Sequence, residues 1–271
     1  MFDLADTDPR HQRVMGRASV RLSGDARLSD LHQAGAAKAM LPRMHGRAPE
    51  IVFLNTAGGV TGGDVLDYSV TLDGGAAVAT TQTAERAYRS AGGTARMRTQ
   101  ITLGPGATLH WLPQELILFD GAALDRALEI DMARDATLIL LETLVLGRAA
   151  MGETVRHLHL RDRRMVRRAG RPVLIEAIRL DDAELARVGV AGLHAARAVA
   201  SLSLIAADAG DRLEALRETL PKDGAVRAAA SSWEGRLTVR FAARDAWPLR
   251  QAVARAVAAL TRLPLPRVWQ I

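Results

Sequence analysis

The sequence predicts a mainly β protein whose strands stack in successive coils, with two α-helices toward the C-terminal end. Three observations carry this. Apolar and polar residues alternate with a period of two along residues 94–103 and 155–160, the pattern of half-buried strands. A short block recurs as Ala76-Ala77-Val78-Ala79-Thr80-Thr81-Gln82, Ala107-Thr108-Leu109-His110-Trp111-Leu112-Pro113 and Ala136-Thr137-Leu138-Ile139-Leu140-Leu141-Glu142. Its period of roughly 30 residues is one at which repeats build stacked units. Finally, leucines and valines fall at helical spacing in two late segments.

Taken in order, the apolar run Ile51-Val52-Phe53-Leu54 leads into Asn55-Thr56-Ala57-Gly58-Gly59-Val60-Thr61-Gly62-Gly63-Asp64. Four glycines within this segment imply backbone angles that other residues resist, or a very close backbone approach. A phosphate loop is excluded, because a Walker loop needs Lys and then Ser or Thr after its last glycine, and here Asp64 and Val65 follow. A dinucleotide fingerprint opens a helix, whereas residues 65–72 read as a strand. Gly58, Gly59, Gly62 and Gly63 are therefore expected to form a structural turn between strands.

Gly and Pro punctuate the chain at 73–75, 92–93, 104–106 and 170–172, ending strands in turns. The dense basic stretch Arg161-Asp162-Arg163-Arg164-Met165-Val166-Arg167-Arg168 reads as a solvated turn rim. The first helix is expected over residues 211–220, on Leu213, Leu216 and Leu220, stopping before Pro221. The second runs from near Pro248 to Arg262, opened by Asp245, with Leu249, Val253, Val257 and Leu260 as its core stripe. An extended tail carrying Trp269 follows. No linker rich in Gly, Ser or Pro interrupts the chain, so residues 1–271 are expected to form one domain.

Composition bounds the function. Hydrophobic residues make up 48 % and aromatics only 4 % of the 271 residues, so aliphatic packing must dominate. Cysteine is absent, which excludes disulfides and thiolate metal sites. No apolar run reaches the ~20 residues that span a bilayer, and the acidic start lacks a signal-peptide pattern. The expected location is the cytoplasm. The net charge is +6, carried mostly by arginine. Those charges are dispersed and no nucleic-acid module appears, so an acidic protein partner fits better than nucleic acid.

Catalytic patterns are lacking. No Gly-x-Ser-x-Gly elbow is present, and the histidines at 11, 32, 45, 110, 157, 159 and 194 are scattered. His157 and His159 flank Leu158, so on a strand both rings would share a face. They are candidate ligands for nickel or zinc, two of the usual three or four.

Four motifs carry a family resemblance. The glycine segment 55–64 is one. The others are residues 80–90, from Thr80 through Glu85, Arg86 and Arg89, then Trp111-Leu112-Pro113-Gln114-Glu115-Leu116-Ile117-Leu118-Phe119-Asp120-Gly121-Ala122, and finally Gly147-Arg148-Ala149-Ala150-Met151-Gly152-Glu153. With the ending Leu265-Pro266-Arg267-Val268-Trp269, the chain resembles the urease accessory protein D family (UreD, also called UreH) across most of its length. The resemblance implies a β-rich, helicoid (β-helix-like) stack with two helices. It implies a non-enzymatic maturation factor that helps deliver nickel to apo-urease, holding no cofactor tightly. The implied partners are urease, accessory protein F and, through it, the GTPase accessory protein G. The rival reading is a stacked-β carbohydrate-active enzyme, a lyase or glycosidase, against which the scarcity of aromatic platforms argues.

Asp64, Glu85, Glu115, Asp120, Glu142 and Glu153 all lie in or beside these motifs. Buried carboxylates are costly unless paired. Arg86, Arg89 and Arg148 are local partners, so internal ion pairs and turn hydrogen bonds are one expectation. The other is a polar internal path bordered also by Thr81 and Gln82, where oxygen ligands hold a cation weakly enough to release it.

Overall fold

The computed structural model describes residues 13–43, 48–187, 189, 192–222, 224–261 and 263–269. The acidic stretch 1–6, His11, His45, Arg262 and residues 270–271 lie outside them. Strands β1 (Met15–Leu22), β2 (Leu28–Gly35), β3 (Ala37–Met40), β4 (Glu50–Asn55), β5 (Val65–Leu72) and β6 (Ala76–Thr81) come first. The middle of the chain supplies β7 (Glu85–Ala87), β8 (Ala95–Leu103), β9 (Thr108–Trp111), β10 (Leu116–Leu118), β11 (Ala122–Met132) and β12 (Thr137–Leu146). The set closes with β13 (Leu158–Arg168), β14 (Arg171–Asp181), β15 (Ala198–Ile205), β16 (Val226–Trp233) and β17 (Arg236–Ala243).

These strands form two sheets. One has the order β14-β13-β11-β8-β5-β1-β2, and the other β16-β17-β15-β12-β9-β6-β4-β3, with β10 and β7 attached to it. From β4 to β13 the long strands alternate between the two sheets. Within each sheet a strand pairs in parallel with the one about a repeat later, as in β5 with β8 and β6 with β9. The register aligns like with like. Val20, Val70, Ile101, Ile130, Val166 and Leu174 are successive partners across the first sheet, and all are buried.

The two sheets differ in pattern because they differ in what covers them. β8 alternates strictly between buried and exposed residues, as a sheet with one wet face should. β12, with the sequence TLILLETLVL, is buried along almost its whole length. One face of its sheet packs against the first sheet, and the other packs with residues of the helices in a second apolar cluster.

The repeated blocks do stand side by side, with one adjustment. Ala136 and Ala107 align as expected, since Thr137 pairs with Thr108. The first copy slips by one residue, Ala76 pairing with Thr108. Alanine-rich blocks carry little phase information, so composition alone misplaces them.

Three α-helices occur among the described residues, where the sequence predicted two. The additional one, α1 (Asp182–Ala186), is five residues long and is capped by Asp181, which accepts hydrogen bonds from the Ala183 and Glu184 amides. Its shortness hides it from any periodicity. The helix expected over 211–220 is a 3-10 turn, Ala209–Arg212, leading into α2 (Leu213–Thr219). The last helix, α3 (Ala246–Leu260), starts two residues before Pro248, because Asp245 accepts from the Trp247 amide and sets the cap there. Residues 155–157 precede β13 rather than belonging to it. The basic stretch 161–168 is the body of that strand and not a turn rim. The tail makes a 3-10 turn at Arg267–Trp269 instead of running extended. Trp269 is docked there, its Nε1 donating to the Leu112 carbonyl at 3.1 Å and to Thr80 Oγ1 at 3.3 Å.

Candidate functional site

The glycine turn is built by its aspartate. Asp64 is buried, and its two carboxylate oxygens accept from the amides of Val14 and Thr61, each at 2.8 Å. That ties β1 to the turn and consumes the carboxylate. Gly58 and Gly63 sit at φ +77° and +88°, in the left-handed region. Gly59 and Gly62 are needed for a different reason, which is close approach. A Cβ on Gly59 would lie 2.7 Å from the Arg86 carbonyl, and one on Gly62 would lie 2.6 Å from that of Gly93.

Thr81, Gln82 and Glu85 line one small cavity of about 30 Å3 together with Phe53, Asn55, Gly58 and Tyr68. A space of that size admits about one water molecule. Glu85 Oε1 accepts from Asn55 Nδ2 at 3.3 Å and from the Arg86 amide at 3.2 Å. Burial nonetheless pushes the Glu85 carboxyl above its ordinary pKa, against the pull of these donors and of Arg86 and Arg126. A carboxyl raised in the folded state binds its proton more tightly there than in the unfolded chain. Its ionisation therefore costs stability once the pH exceeds the unfolded value of about 4.3. Glu85→Gln, which keeps the accepting oxygen, is expected to raise Tm at pH 7.5 and to leave it unchanged near pH 4. An equal shift at both pH values would refute this origin.

Glu142 lies deeper, between the sheets. Its Oε1 accepts from Trp111 Nε1 at 3.0 Å, and its Oε2 is ion-paired with Arg126 Nη2. Arg126 also reaches Asp162 at 3.4 Å, and Asp162 is held by Arg164 Nη2 at 2.6 Å. Arg164 continues to Glu176 at 3.3 Å. Glu176 in turn accepts from Ser201 at 3.1 Å and from Arg240 at 2.8 Å. Strand pairing places these groups. Arg126 is opposite Asp162, and Arg164 opposite Glu176, in the first sheet. Glu142 is opposite Ser201, and Ser201 opposite Arg240, in the second.

The charged states follow from this pairing. Burial would favour neutral Asp162, but Arg126 and Arg164 outweigh it and hold the carboxyl below its usual range. Burial likewise opposes the charge on Arg126, and the Glu142 and Asp162 carboxylates overcome it. The seam opens at one end into a cavity of about 840 Å3, lined by Glu142, Arg164, Glu176, Ser201, Arg227 and Arg240 among others.

The remaining predicted residues sit apart from this seam. Glu115 pairs with Arg250 of α3 at 2.8 Å. Asp120 Oδ1 accepts from the amides of Arg156 and His157, and Oδ2 from Arg89 at 2.5 Å; those two amides, then the nearby Arg89 charge, lower its pKa. Glu153 accepts from Arg148 Nε at 2.8 Å, which leads in lowering its pKa, and from the Asp120 amide at 3.1 Å. These two carboxylates organise the loops that carry the last motif. His157 and His159 are both exposed, and His157 Nδ1 lies 2.9 Å from Asp182. Among the described residues no group of three or more side chains is placed to hold a metal ion.

Sequence reasoning passed over Arg126, Asp162, Arg164 and Glu176. A signal existed for three of them. Arg126 stands in phase with Leu124 and Leu128, and Asp162 and Arg164 with Leu158, Leu160 and Val166, on the inward face of their strands. A charge at an inward position of an alternating strand marks a buried ionic network. Among the described residues no helix is long and apolar enough to cross a membrane.

Comparison with known proteins agrees with the motifs. Residues 14–270 match the family model described as UreD urease accessory protein. A Jannaschia sp. (strain CCS1) protein named urease accessory protein UreD is 62 % identical over 271 residues, covering the whole of both chains. Its namesake from Paracoccus denitrificans (strain Pd 1222) is 53 % identical, over 100 % of this chain and 97 % of its own. Another, from Chelativorans sp. (strain BNC1), is 44 % identical over 94 % and 93 %. With a match from residue 14 to residue 270 and such full-length likeness, the chain belongs to the UreD family of urease accessory proteins.

Proposed function

We propose that this chain is a urease maturation factor that helps pass nickel to apo-urease along the polar seam between its two sheets. It works as one domain in a cytoplasmic complex with urease, accessory protein F and, through F, the GTPase accessory protein G. It performs no catalysis and keeps no tightly bound cofactor, and nickel is present only in transit. Full-length kinship with proteins named urease accessory protein supports the maturation role.

The observation that carries the passage is the run of charged groups from Glu85 past Arg126 to Glu142, Asp162 and Glu176. It lies beside a core made mostly of aliphatic side chains, with Phe53, Tyr68 and Trp111 among them. An ionic chain there brings no advantage over well-packed apolar residues for stability alone. It has a small cavity at one end and a large one at the other. Carboxylates that are already paired hold a passing cation weakly, which suits transfer better than storage. Thr81, Gln82, Glu85 and Glu142 border the path. Asp64, Glu115, Asp120 and Glu153 position the loops and helix around it, and His157 and His159 stand as a weak surface landing point. The carbohydrate-enzyme reading gains nothing from the large cavity, whose lining includes a single aromatic residue among those described, Phe241.

Glu142→Gln removes the charge and leaves one oxygen to accept from Trp111 Nε1 or from Arg126, in place of the two that accept from them in the wild type. It is expected to leave the complex with accessory protein F and urease intact and to lower the nickel content of matured urease several-fold. Pull-down together with metal analysis of purified urease makes the test. Normal nickel loading in Glu142→Gln, in Gln82→Leu and in the double variant would leave the chain a scaffold.

A further inference from the structure

We propose that Arg126 is a tethered cation occupying the midpoint of the seam, and that a divalent metal ion passes only when the guanidinium is displaced from Glu142 and Asp162. This rests on the passage reading above. Three observations lead to it.

Arg126 is the link between the two ends of the seam. It bonds Glu142, which lines the large cavity, and lies within charge range of Glu85, which lines the small one. Any cation moving between those cavities meets the guanidinium on the same carboxylate oxygens it would use itself.

Charge balance points the same way. The carboxylates of the seam are the buried Glu142 and Asp162 and the half-buried Glu85 and Glu176, and the buried guanidinium groups are Arg126 and Arg164, with Arg240 reaching in from the exposed side. Asp162 is fully buried, yet its Oδ1 accepts no hydrogen bond. A carboxylate with a spare buried oxygen, joined to Glu142 through Arg126, is a cation site already filled on one side by an arginine.

Arginine suits such a role because it cannot lose its charge in a protein. A lysine or histidine plug would open by deprotonation. Arg126 opens only by moving off Glu142 and Asp162. The seam then rejects stray cations until a partner's contact or the cargo itself shifts the guanidinium.

Nickel binding to the purified full-length chain tests this by equilibrium dialysis against nickel chloride. Four proteins are compared: wild type, Arg126→Lys, Arg126→Gln and Arg126→Gln/Glu142→Gln. Surface histidines are common to all four, so their binding subtracts. Arg126→Gln is expected to gain one nickel ion per chain, held at least tenfold more tightly than any ion on the wild type. Arg126→Lys should resemble the wild type, and the double variant should lose the gain. No gain in Arg126→Gln, or an equal gain in the double variant, overturns the proposal.

Should Arg126→Gln fail to fold without metal, its soluble yield with and without nickel in the medium decides. Rescue by nickel supports the tethered cation. Rescue only by the added Glu142→Gln change, or by neither, counts against it. The passage reading stands or falls separately. Normal urease loading with Glu142→Gln removes the passage but leaves an ion gained by Arg126→Gln as the mark of a tethered cation. Reduced loading with no gained ion does the reverse.

Discussion

Replacing Gly62 with valine is expected to lower stability by about 3 kcal/mol or more, the upper range for forcing atoms into a packed site. For a chain of this size that corresponds to a fall in Tm of roughly 6–12 °C. The obstacle is backbone. A Cβ at Gly62 would meet the carbonyls of Gly92 and Gly93 as well as the Ser90 hydroxyl. That loop is itself fixed, with Ser90 Oγ donating to the Gly93 carbonyl at 2.9 Å and accepting from the Gly92 amide at 3.0 Å. The turn cannot retreat either, because Asp64 ties it to Val14 and Arg13 donates to the Gly62 carbonyl. Gly58 is the control. It has positive φ, but a Cβ there would meet nothing within 4 Å. Gly58→Ala should therefore cost only the left-handed strain of about 1–2 kcal/mol. Thermal melts of both variants make the comparison. An unchanged Tm for Gly62→Val would mean that the glycines serve a partner instead of the fold.

The sheet with one wet face was the legible part of the fold. Strand β5 falls on the residues its alternation marks, Val65–Leu72, because each inward side chain is apolar and its neighbours are half-exposed. The second sheet has no such period, since both its faces are covered. It was legible only through the repeat, and the repeat could not fix the one-residue slip at Ala76. The candidate site divides in the same way. Glu85 stands within a recognisable motif and Glu142 ends the apolar run 138–141, so they invite attention. Asp64 has the same sequence appearance, yet both of its oxygens are taken by backbone amides. Asp162 and Arg164 were hidden by their neighbours. Arg161 and Arg163 are exposed on the other face of the same strand, so the stretch has the density of a solvated rim although alternate members point inward. Glu176 belongs to the network only through the β13–β14 hairpin and the approach of β15 and β17, which no local pattern encodes.

Removing one member of that network is expected to have the largest effect on stability. Arg164→Met keeps the length and apolar bulk of the side chain and takes away the charge that holds Asp162. Asp162 would then face the interior with Arg126 alone, at 3.4 Å rather than 2.6 Å. Breaking a buried pair from one side costs about 3–5 kcal/mol, because the remaining charge is left uncompensated. The pH dependence identifies that cause. In the wild type the Asp162 carboxyl is held below its unfolded pKa, which is about 3.9. Its contribution is therefore present at neutral pH and lost only as the pH falls through the lower folded value. In Arg164→Met burial acts with less opposition and raises the carboxyl, which takes up a proton at higher pH and sheds its penalty. The gap in Tm between the two proteins should therefore narrow as the pH falls from 7 toward 4. A loss of packing would give a gap that does not change with pH. Melting curves across that interval distinguish the two, and a constant gap would remove the ionic account of the seam's contribution to the fold.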